Sequence, residues 1–168
     1  MSTPASRAAR PGVIVTHPNR DKAAVQATRA TVVLLLLAST ALILIVTLGG
    51  WGTLEGLKPV LIFWVLAYLT MAYFTARWRR GVLPMAAALA LVMLVFALVA
   101  APEWFVRDKP GYAEPNLPAN LLGVITLVIV PVQLLLIVFA MRGFAQGWNV
   151  ELEQADPGYE REALPHSA

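Results

Sequence analysis

Thr75-Ala76-Arg77-Trp78-Arg79-Arg80-Gly81-Val82 is the stretch on which the fold turns. Three arginines stand close together between two long apolar runs, near the middle of a 168-residue chain. Such a knot of positive charge belongs in water or among lipid headgroups. The runs on either side, about 57–76 and 82–101, are then two helices that enter and leave an apolar phase. Working outward, two further runs complete the pattern, at about 30–48 and 121–141. Each is close to the ~20 apolar residues that cross a bilayer core.

The composition agrees with this patterning. Hydrophobic residues make up 58% of the chain and charged ones 14%, well below the roughly 25% typical of soluble domains. The apolar excess lies in the four runs and nearly all the charge lies between them. The expected fold is therefore an all-α membrane protein, a four-transmembrane-helix bundle made of two helical hairpins. A cytoplasmic basic tail at 1–29 precedes the bundle at 30–143, and a cytoplasmic acidic tail follows at 144–168. The first run is too long for the apolar core of a signal peptide and no small-residue cleavage site follows it, so it reads as an uncleaved span.

Element ends are expected from local chemistry. Asn19 or Asp21 is placed to cap the first helix, whose polar stub covers 22–30. Gly49-Gly50-Trp51-Gly52 ends it. Pro59 and Pro84 suit first turns, where a missing N–H costs nothing. Pro102 is expected to end the third helix, and Arg142-Gly143 the fourth. The connector 102–120 carries four prolines and reads as an extended, stiff strap. The two tails, of opposite net charge, read as mostly disordered.

Charge sets the orientation. With four spans, one face receives both tails and the arginine knot. It then holds ten of the thirteen basic residues, and the other face holds Lys58, Arg107 and Lys109. Lys and Arg collect on the cytoplasmic side, so both termini are expected inside, in the inner membrane of a bacterium. Trp51 and Trp104 would mark the outer boundary, and Trp78 and Trp148 the inner one.

The chemistry is sparse. No cysteine is present, so disulfide, zinc-thiolate and iron–sulfur sites are excluded. The histidines, His17 and His166, lie in the tails, where they cannot serve as axial ligands for a haem between the helices. No Asp, Glu, Lys, Arg or His lies at depth in any run, which weighs against ion-coupled transport. No cofactor is implied, nothing suggests an enzyme, and no basic fold suggests nucleic-acid binding.

Four polar side chains stand halfway along the runs: Ser39, Thr40, Tyr68 and Gln133. Gly123, Thr126, Val130, Gln133, Ile137 and Ala140 share one helical face, which should point inward. Tyr68 and Gln133 fall at nearly the same depth, which predicts a hydrogen bond between them. Such a cluster is either glue between helices or a small polar site for a lipid or quinone headgroup. Arg77, Arg79 and Arg80 fix topology and suit anionic headgroups. Ala86, Ala90, Ala97 and Ala101 form a small-residue stripe that allows close approach, within the chain or to another membrane subunit. The 102–120 segment, with Trp104, Phe105 and Tyr112, is the other candidate docking surface. The function expected from these features is that of a non-catalytic accessory subunit of a larger membrane complex. The alternative is a binding or transport protein for a small lipophilic ligand at the polar cluster.

Overall fold

The structure, a computed structural model, describes residues 13–16, 18–54, 56–107 and 114–155. His17, His166, Lys109 and Tyr112 lie outside the described residues. Four helices dominate: α1 (Ala23–Gly49), α2 (Lys58–Ala76), α3 (Leu83–Arg107) and α4 (Ala119–Ala145). All four are long and apolar enough to cross a membrane. A single 3-10 turn, Arg80–Val82, leads into α3.

Each helix buries one stripe. In α1, Val25, Val32, Ser39 and Val46 recur every seven residues, with Leu36 and Ile43 interleaved. In α3, Leu83, Ala90, Ala97 and Trp104 do the same. That spacing keeps one face of a helix on its neighbours. The opposite faces are aliphatic and open, with Leu34, Val99 and Val138 each more than 60% exposed. α1 packs on α2 and on α4, and α4 packs most extensively on α3. α2 and α3 follow one another in the chain but barely touch.

Several helix ends differ from the sequence expectation. α1 begins at the expected stub, but Lys22 is its N-cap and no side chain caps it. Asn19 is used elsewhere: its amide donates to the Gly147 carbonyl at 3.1 Å. α3 does not stop at Pro102 but runs through it to Arg107. The proline is exposed, so its ring lies on the open side, and the extra turns carry Trp104 inward and Phe105 onto α4. Trp104 is buried against Gly50, where a Cβ would stand 2.6 Å from the indole. Phe105 lies over Gly123 in the same manner. Burying Trp104 is worth about 1.5–3 kcal/mol, which offsets much of the ~3 kcal/mol that an interior proline costs. α4 likewise continues past Arg142 and Gly143 to Ala145.

The connector is therefore helical in its first six residues. Its far end is a strap over the end of α1: the Leu117 amide donates to the Gly49 carbonyl at 3.0 Å, and Asn116 Nδ2 to the Leu48 carbonyl at 3.0 Å. These carbonyls have no partner within their own helix, so the strap completes a helix end.

The tails also depart from expectation. Strand β1 (Val13–Thr16) pairs antiparallel with strand β2 (Leu152–Ala155), Val13 opposite Ala155 and Thr16 opposite Leu152. Among the described residues, a segment of each tail is therefore ordered against the other, where disorder was expected.

Candidate functional site

At the middle of the bundle, three helices converge on Gln133. Tyr68 Oη of α2 donates to Gln133 Oε1 at 2.8 Å. Gln133 Nε2 of α4 donates to Ser39 Oγ of α1 at 3.0 Å. Ser39 Oγ donates onward to the Leu35 carbonyl at 2.7 Å. All three side chains are fully buried. The result is one directed chain of hydrogen bonds from α2 through α4 to α1. In an apolar surrounding each of these groups would be costly without its partner.

Thr40 is beside this chain but not in it. Its hydroxyl donates back to the Leu36 carbonyl of its own helix at 2.8 Å, as Thr47 and Thr126 do to Ile43 and Leu122. Of the α4 face expected to point inward, Gly123, Thr126, Gln133 and Ala140 are buried, while Val130 and Ile137 are half-buried. Ile129 and Leu136 are buried in their place, so the face is turned slightly from the one drawn by counting. Among the described residues, two buried side-chain polar atoms, Trp64 Nε1 and Thr75 Oγ1, have no hydrogen-bond partner.

The arginine knot is built differently. Trp78 adopts a left-handed backbone (φ 62°), which is costly for a bulky residue and turns its ring toward the tails. The Arg29 guanidinium stacks on that ring at 4.2 Å and the Arg20 guanidinium lies 5.7 Å away. Trp148, fully buried, meets Trp78 edge-on at 5.6 Å. Trp148 in turn rests on Gly143, where a Cβ would stand 2.9 Å from the indole. Arg20 Nε donates to the Trp148 carbonyl at 3.2 Å and Arg29 Nη1 to the Ala76 carbonyl at 3.0 Å.

Within the knot, Arg80 stacks on Phe144 at 4.4 Å and Arg77 on Tyr73 at 5.3 Å. Arg77 and Arg79 are exposed, whereas Arg80 is half-buried. Sequence reasoning missed Arg20, Arg29, Phe144 and Trp148 as members of this clasp. The signal available was that Trp148 and Phe144 are bulky rings in otherwise polar surroundings. The expected boundary role fits the exposed Trp51 better than Trp104 or Trp148, which are buried inside the chain.

The alanine stripe is spent internally. Ala86, Ala90, Ala97 and Ala101 are all buried, on the helix that packs most closely on α4. Among the described residues no three His, Cys, Asp or Glu side chains come together. Comparison with protein-family models, with curated proteins and with solved structures yields no match.

Proposed function

We propose that this chain is an integral membrane protein of a bacterial inner membrane, four spans in two hairpins with both termini cytoplasmic. We further propose that it serves as a non-catalytic accessory subunit of a larger membrane complex. The observation that carries this reading is the fate of the polar side chains at mid-depth. Tyr68, Gln133 and Ser39 satisfy one another, and Thr40, Thr47 and Thr126 bond back to carbonyls of their own helices. They act as glue, and the remaining helix faces are aliphatic and aromatic surfaces suited to lipid or to neighbouring helices.

The same geometry disfavours a ligand headgroup at this level. Gln133 is fully buried, and a headgroup would have to displace Tyr68 or Ser39 from it. Orientation is supported by the ten-to-three division of basic residues. Extraction in a mild detergent, followed by sizing and mass spectrometry, tests the function. The expected result is co-elution with other membrane polypeptides at fixed stoichiometry. Elution of the chain alone would count against it.

A further inference from the structure

Where α2 and α3 meet only sparsely, through the Trp64–Phe96 ring pair among others, a crevice of about 310 Å³ opens toward the start of α2. Its walls include Leu57, Val60 and Leu61 on one side and Phe96, Ala100 and Trp104 on the other. The hydroxyl of Thr126 lines it too, but that group is already bonded to Leu122. Ordered water needs two to four polar partners, which these walls do not supply. A helix, about 10–12 Å across with its side chains, is too wide for the space. A hydrocarbon chain is not.

The mouth carries charge. Lys58 follows Leu57 directly, and its ammonium lies 4.9 Å from the Trp51 ring. Arg107 lies 6.0 Å from the ring of Trp104, itself a wall of the crevice. α2 begins at this end without a side-chain cap and with a proline in its first turn, so no side chain of its own satisfies its first free amides. The described acids at this end, Glu103 and Glu114, are exposed.

We propose that the crevice holds one acyl chain of an anionic phospholipid, with its phosphate at the mouth beside Lys58, Arg107 and the first turn of α2. The proposal rests on the membrane-spanning reading but not on the accessory-subunit one.

The test uses the full chain in mild detergent, with native mass spectrometry counting retained lipid. The probes are dioleoyl phosphatidylglycerol and dioleoyl phosphatidylcholine. Wild type should retain one phosphatidylglycerol and prefer it about thirtyfold, about fivefold for each of the two cations. Ala100→Phe and Val60→Trp, which fill the crevice from opposite walls, should lose both lipids. Val95→Phe, on the open face of α3, should keep them. Lys58→Gln with Arg107→Gln should erase the preference and leave phosphatidylcholine retention unchanged.

Equal retention of the two lipids by wild type would overturn the proposal. So would filled variants that hold lipid as Val95→Phe does, or a polypeptide cross-linked within the crevice. Recovery of the chain from the aqueous fraction without detergent would instead refute the membrane reading beneath it.

Discussion

Gln133 ties three helices with one side chain, so its contribution is a matter of coupling more than of burial. Interhelical hydrogen bonds of this kind measure about 0.6–1.7 kcal/mol, because an unfolded chain in lipid finds other partners. Gln133→Leu should therefore lower stability modestly in a detergent unfolding titration. A cycle with Tyr68→Phe should return a coupling of about 0.6–1.7 kcal/mol. Additive losses would mean that the 2.8 Å bond contributes nothing. Thr75 predicts the opposite sign. Its buried hydroxyl has no partner, so Thr75→Val, of similar shape, should leave the unfolding midpoint unchanged or raise it. A clear drop would show that the hydroxyl is bonded. The Tyr68–Gln133 pairing was legible in the sequence, because depth along two parallel runs can be counted. Ser39 was legible as a neighbour but not as the acceptor, since rotation of α1 about its axis is fixed by packing.

At the scale of elements, the helices were readable and their ends were not. Charge-free runs force helix, because every backbone group in lipid must be satisfied within its own segment. Where a helix stops depends on tertiary contacts that local rules do not see. Pro102 is the clearest case: α3 passes through it so that Trp104 and Phe105 can reach Gly50 and Gly123. Pro102→Ala restores a backbone N–H and removes a ring, so it should stabilise the fold by up to ~3 kcal/mol. Destabilisation in the same titration would show that the proline is needed where it stands. The tails were misjudged for a related reason. Polar, oppositely charged tails read as mostly disordered, whereas Trp148 packs on Trp78 and β1 pairs with β2. Trp148→Ala should cost about 3–5 kcal/mol and speed proteolysis of both tails together. Faster cleavage of one tail alone would separate the clasp from the ribbon.

For the molecule as a whole, the arrangement follows from one imbalance. α1 and α4 pack on each other and each takes a second partner, while α2 and α3 touch only sparsely despite the short turn that joins them. The arginine knot sits in that turn, latched to both ends of the chain by Arg20, Arg29 and Trp148. Basic residues at the tail end and aliphatic faces along the helices fit the proposed membrane reading, in which the tail side is cytoplasmic. Since the chain has no cysteine, single cysteines report topology without background. Gly52 lies in the loop between α1 and α2, and Gly81, with open space around it, lies in the turn before α3. In intact cells a membrane-impermeant maleimide should label Gly52→Cys at once and Gly81→Cys only after permeabilisation. Labelling of Gly81→Cys from outside, or equal labelling of both without permeabilisation, would contradict four spans with both chain ends inside.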